Sequence, residues 1–65
     1  MTFWERTQSI EKLTNELLRD MEAELRRIAE KNGEPVYGGI FDAKASSEDL
    51  MSWLKDISEE IREQS

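Results

Sequence analysis

The sequence predicts a mainly α-helical fold, a helical hairpin made of one long and one shorter helix that assembles into a homo-oligomeric bundle. Apolar residues recur every three or four positions over two long stretches. The only proline and two of the three glycines lie between those stretches. A chain of 65 residues without cysteine is also small for an independent core. Residues 1–65 are therefore expected to form a single small domain that associates with further copies.

The first helix is predicted from about residue 3 to residue 31. Thr2 and Glu5 have the spacing of a capping box, although Ser9 could instead cap a shorter helix. Asn32 or Gly33 is expected to take the left-handed C-cap conformation, and Pro35 excludes further helix. Between these ends an apolar stripe covers about 180° of the helix surface. Its principal members are Ile10, Leu13, Leu17, Leu18, Met21, Leu25, Ile28 and Ala29.

Residues 32–46 are predicted to form either a compact loop rich in glycine and aromatic residues or a very short β-hairpin. The pairs Val36-Tyr37 and Ile40-Phe41 favour strands, and Gly38-Gly39 suits a type I′ turn between them. A solvent-exposed turn needs no bulky apolar side chains, so Tyr37, Ile40 and Phe41 are expected to pack against something.

The second helix is predicted from about residue 47 to residue 63. Ser46 or Ser47 is the expected N-cap, and the acidic residues that follow suit the positive end of the helix dipole. One narrow apolar face follows, made of Leu50, Trp53, Leu54, Ile57 and Ile61.

The predicted lengths indicate self-association. At 1.5 Å per residue the first helix would be roughly 43 Å long and the second roughly 25 Å. A short second helix would leave the first three turns of the long one bare, and those turns carry large apolar side chains. A second copy is the expected cover, giving a dimer or higher oligomer. The predicted interface residues are Phe3, Trp4, Ile10, Leu13 and Leu17.

The charge distribution favours a basic protein partner. The formal net charge is −6, and residues 34–65 hold eight acidic and three basic side chains, a net −5. Such a surface disfavours direct contact with nucleic acid, which is bound through Lys and Arg. The predicted partner-binding residues are Trp53, Asp56, Glu59, Glu60 and Glu63.

Catalysis and metal binding are not expected. The chain has neither histidine nor cysteine, so the commonest general base, the commonest metal ligand and the thiolate nucleophile are missing. The carboxylates Glu16, Asp20 and Glu24 form a row on the first helix, but arginines are interleaved with them. This pattern is typical of a solvated, salt-bridged face. No catalytic residue, metal ligand or cofactor is predicted.

A small anionic ligand is a secondary hypothesis. Two consecutive glycines can present unhindered N–H groups to an anion, and Lys44 is the nearby cation. The predicted ligand-binding residues, at a subunit interface, are Tyr37, Gly38, Gly39, Ile40, Phe41 and Lys44.

Three hypotheses about function follow. The leading one is a non-catalytic interaction protein, of phage or viral origin, that binds and inhibits or regulates a larger macromolecule. The first alternative is an oligomer that sequesters an anionic metabolite or nucleotide with its Gly-Gly loop. The second alternative is a purely structural or designed bundle. Because no signal peptide or apolar run of roughly 20 residues is apparent, a cytoplasmic protein without membrane contact is expected.

Overall fold

Two helices packed side by side make up the fold. The computed structural model describes residues 1–64, in which α1 spans Phe3–Asn32 and α2 spans Ile40–Gln64, joined by residues 33–39. The helices are antiparallel, since Thr7 meets Ser58 near the termini and Glu22 meets Lys44 near the turn. The Cα atoms occupy a slab of 55 × 19 × 7 Å. The predicted helical hairpin is therefore confirmed as an arrangement of two packed helices.

The ends of α1 form as the sequence predicts. The Glu5 amide donates to the Thr2 hydroxyl at 3.1 Å, and the Thr2 amide donates to the Glu5 carboxylate at 3.2 Å, which completes the capping box. Ser9 lies inside the helix, where its hydroxyl donates to the Glu5 carbonyl at 3.1 Å. Gly33 has φ 74° and donates its amide to the Ala29 carbonyl at 2.8 Å, so it is the C-cap of the two candidates.

The start of α2 differs from the prediction. The helix begins at Ile40, seven residues earlier than expected, and no described residue lies in a strand, so the β-hairpin alternative is wrong. Gly38 and Gly39 have positive φ angles of 52° and 76°, and these let the chain reverse within a few residues. The Ala43 amide then donates to the Gly39 carbonyl at 3.0 Å. The burial of Ile40 fixes this early first turn against α1, and Ser46 and Ser47 lie within the helix instead of capping it.

The longer α2 also corrects the length argument. At 1.5 Å per residue, α1 with 30 residues is about 45 Å long and α2 with 25 residues about 37 Å. The second helix consequently reaches the first turns of α1, where Thr7 is buried against Ser58. A difference in helix length cannot explain which side chains of α1 remain exposed.

The seam between the helices contains both small polar and aliphatic side chains. Thr7 and Ser58 are buried at one end, and the buried apolar side chains of the described residues are Ile40, 6% exposed, and Met51, 4% exposed. Leu18, Leu25 and Leu54 are half-buried along the same line. Two ion pairs cross the seam, Lys55 to Glu11 at 3.0 Å and Lys44 to Glu22. The aliphatic side chains supply the apolar burial of the seam, and the two ion pairs, which are partly exposed, add little to it.

Neither helix of the described chain has an apolar stretch that could cross a bilayer.

Candidate interaction surface

Seven large apolar side chains lie on one side of the hairpin and form what we call the apolar face. Each keeps between 47% and 65% of its surface exposed. At 100° per residue, their positions lie on the same flank of each helix, beside the seam. A cleft of about 270 Å³ lined by Ile10, Leu54 and Ile57 joins the two flanks. The apolar face consists of Ile10, Leu13, Leu17 and Met21 on α1 and Leu50, Trp53 and Ile57 on α2.

The structure brings most of the predicted interface residues to this surface. Ile10, Leu13 and Leu17 belong to the apolar face, and Phe3 lies next to it in the same cleft as Ile10. Trp4 does not belong to this surface. It precedes Ile10 by six residues, and at 100° per residue this separates the two side chains by about 120° around α1. It lines a separate cleft at the N-terminal end together with Met1 and Arg62.

Further charged side chains of α1 are held by ion pairs within the helix. Arg26 donates to Glu22 at 2.8 Å, and Arg27 bonds Glu24. The hydrogen bond from Lys44 is the main cause that lowers the pKa of Glu22, and the Arg27 guanidinium likewise lowers the pKa of Glu24. The pKa of Arg27 is raised by the same contact. These pairs confirm that Glu24 of the predicted carboxylate row belongs to a salt-bridged surface.

The outer edge of α2, opposite the seam, is acidic along its length. Asp42, Asp49, Asp56 and Glu63 recur every seven residues and so share one side of the helix. Glu59 and Glu60 lie beside them, and all six are exposed; we call this set the acidic ridge. The basic residues of α2 do not lie on this edge, and Lys44 and Lys55 form ion pairs across the seam. The four predicted acidic partner-binding residues belong to this ridge, and Trp53 lies on the apolar face at its border.

The predicted ligand residues are only partly brought together. A cleft of about 590 Å³ lies between the turn and the end of α1, and Tyr37, Ile40 and Phe41 line it. The rings of Tyr37 and Phe41 have centroids 5.7 Å apart. Gly38 and Gly39 instead face a second cleft on the side of Met21 and Ala43. Lys44 lines neither cleft, because its ammonium group pairs with Glu22.

The charges of the larger cleft do not suit an anion. Its charged residues are Glu22, Glu30 and Glu34 against Arg26 alone, and Arg26 is already paired with Glu22. An anionic ligand would therefore meet a negative potential at this position.

The sequence predicts an exposed role on α2 for Trp53 but not for Leu50 and Ile57. The structure exposes both, on the same side of the hairpin as Leu17 and Ile10 of α1. The signal was present in the spacing: Ile10, Leu13 and Leu17 repeat at intervals of three and four, as do Leu50, Trp53 and Ile57. Two equal apolar stripes of this kind on adjacent helices are typical of helices in a larger bundle.

Among the described residues, no group of three or more acidic, histidine or cysteine side chains is arranged to hold a metal ion. The chain matches no family model, no curated protein and no solved structure.

Proposed function

We propose that this chain is a non-catalytic interaction protein that binds a macromolecular partner and regulates or inhibits it, with the apolar face as its binding surface. The observation that supports this proposal is the exposure of all seven residues of the apolar face on one side of the molecule. Large contiguous apolar patches on a protein surface mark interaction sites, because leaving them in water is unfavourable.

The composition of the surface fits this role. Binding surfaces are enriched in Trp, Met and other large side chains at their centre and have a polar rim. Trp53 and Met21 lie within the apolar face, and the acidic ridge borders it along α2. The apolar centre supplies affinity and the acidic border favours a partner with basic groups around its docking site. The proposal assigns no reaction to the chain.

The anion-sequestering alternative has weaker support. It requires Lys44 and the glycine amides to converge on one ligand, but Lys44 is paired with Glu22 and the adjoining cleft is rich in carboxylates. A structural role without any other partner remains compatible with the apolar face and differs from the leading proposal only in what covers that face.

Site-specific photo-cross-linking tests the proposal. In one variant a photoreactive phenylalanine analogue replaces Leu13 on the apolar face. In the matched control it replaces Asn15, which lies two residues further along the helix and therefore about 160° away, on the other side. Both positions are exposed. After irradiation in the producing cells, position 13 should give discrete covalent products and position 15 should not. Equal cross-linking from both positions, or none from either, would refute the proposal.

A further inference from the structure

The isolated chain exposes far more surface than a compact protein of its size. A folded monomer of 7.6 kDa is expected to expose about 4,300 Å², whereas this chain exposes 5488 Å². The radius of gyration is 15.9 Å, against about 11 Å for a compact domain of this length. The excess of about 1,200 Å² is larger than the roughly 800 Å² that each partner contributes to a standard protein–protein interface, and it falls in the range of obligate homodimers, which bury about 2,000–5,000 Å² over both partners. The hairpin therefore lacks about as much burial as one side of an obligate dimer interface supplies.

From this deficit we propose that the apolar face is covered by a second copy of the same chain, so that two hairpins form a four-helix bundle. This inference rests on the proposed function in taking the apolar face as a binding surface. With a second copy on that face, the acidic ridge stays exposed for a further, basic partner. The seam within one hairpin buries just Ile40 and Met51 among the apolar side chains of the described residues. Stacking two apolar faces produces the missing core, with the large side chains of four helices in its centre.

The shape of the hairpin is suited to such stacking. The slab is 7 Å thick at the level of the Cα atoms, so the two helices lie nearly in one plane. The pairs Glu11–Lys55 and Glu22–Lys44 show which residues of the two helices lie at the same height. By this register, Leu13 is level with Trp53 and Ile10 is level with Ile57. A surface of this kind, with matching large side chains on both helices, is self-complementary under a twofold rotation.

Charge selects between the two twofold arrangements. Helix α2 has seven acidic and three basic side chains, a net −4, and α1 has seven acidic and six basic, a net −1. If the turns lie at opposite ends of the dimer, each α2 faces the other α2 and the two acidic ridges repel each other. If the turns lie at the same end, each α2 faces the α1 of the other copy. Arg6 of one copy then lies at the height of Glu60 of the other. We therefore infer the arrangement with both turns at one end.

Sedimentation equilibrium tests the dimer. The wild-type chain should sediment with twice its monomer mass. Leu17→Glu places a charge in the apolar face and should give the monomer mass. Asn15→Glu, with the same added charge on the other side, should remain a dimer.

Because Leu17→Glu could lose its helices together with its partner, circular dichroism accompanies the measurement, and the wild-type mass is decisive by itself. A wild-type monomer at the concentrations used for NMR would overturn the dimer but not the proposed function. The cross-linking at position 13 tests that function independently, and a covalent product with a different protein would support it.

Double electron–electron resonance tests the orientation. The chain has no cysteine, so Glu34→Cys provides a single nitroxide site at the exposed turn. With turns at the same end, the two labels should be about 15–30 Å apart, since neighbouring helix axes in a bundle are separated by 8–10 Å. With turns at opposite ends, the distance should approach the 55 Å length of the hairpin. A long distance would overturn the proposed orientation, and the absence of any dipolar signal would overturn the dimer.

Discussion

The hydroxyl oxygens of Thr7 and Ser58 lie 3.5 Å apart, although 51 positions separate the two residues in the chain. Each hydroxyl also donates to a carbonyl of its own helix, Thr7 to Phe3 and Ser58 to Leu54, both at 2.8 Å. Both side chains are buried without an unsatisfied polar atom. The two helices therefore meet at this end of the seam through two small, buried hydroxyl side chains.

Enlarging Ser58 should separate the helices at this contact. Ser58→Leu adds volume at the point where the hydroxyl of Ser58 lies 3.5 Å from that of Thr7. Overpacking at such a contact typically lowers the free energy of unfolding by about 1–3 kcal/mol. Ser58→Ala keeps the small size, and Thr7 retains its bond to Phe3, so its effect should stay within about 1 kcal/mol. Urea denaturation at one fixed protein concentration measures both. A Ser58→Leu variant as stable as the wild type would contradict the close-packed seam.

The ion pair between Glu22 and Lys44 should make stability depend on pH. The pKa of Glu22 is lower in the folded chain than its ordinary value of 4.5, mainly because Lys44 donates a hydrogen bond to it. A group with a lowered pKa binds its proton more readily when unfolded, so its contribution is present above pH 4.5 and is lost as pH falls through the folded pKa. The stability difference between the wild type and Glu22→Gln should therefore shrink as pH is lowered below about 4.5.

Carbon-13 NMR titration of the Glu22 carboxyl group checks the cause of this shift. Lys44→Met should return the pKa of Glu22 towards 4.5, and Arg26→Met, the matched control on the other partner, should have a smaller effect. An equal effect of the two substitutions would show that the contact across the seam is not the main cause.

The capping residues could be predicted from the sequence because they act over a few positions. Thr2 and Glu5 satisfy each other's backbone amides within one turn, and Gly33 is selected by a local backbone conformation. The start of α2 could not be predicted in this way. Ser46 and Ser47 have the chemistry of N-caps, but burial of Ile40 against α1 starts the helix earlier, and this tertiary contact overrides the local signal.

The sequence predicts part of the candidate surface, and the rest depends on tertiary contacts in the same way. Hydrophobic periodicity identifies the apolar stripes, but it assigns the largest side chains to the contact between the two helices. In the structure that contact uses Ile40, Met51, two small hydroxyl side chains and two ion pairs, and the seven side chains of the apolar face lie beside it. Pairing between residues 22 or more positions apart carries no signal in a single sequence. For the same reason, Lys44 was expected to be available to a ligand and is instead bound to Glu22.

Replacing Gly33 should weaken the end of α1 through its backbone alone. With φ 74°, this residue is in the left-handed region, and no atom lies within 4 Å of the position that a Cβ would occupy. Gly33→Ala should therefore lower the free energy of unfolding by about 1 kcal/mol, the usual cost of a side chain in this conformation. Gly33→Asn should lower it less, because asparagine adopts the left-handed region more readily. Thermal unfolding at fixed concentration compares them, and an alanine variant as stable as the wild type would contradict the left-handed cap.

Trp53 should report burial of the apolar face by its fluorescence. Its side chain is 63% exposed in the single hairpin, and a second copy would remove it from water. In a Trp4→Phe variant, Trp53 is the remaining tryptophan, so its emission should shift to longer wavelengths as dilution separates the copies. The matched control is Trp53→Phe, which leaves Trp4 outside the apolar face and should change little on dilution. An emission from Trp53 that stays at long wavelength at every concentration would mean that the apolar face remains in water, and self-association through it would be excluded.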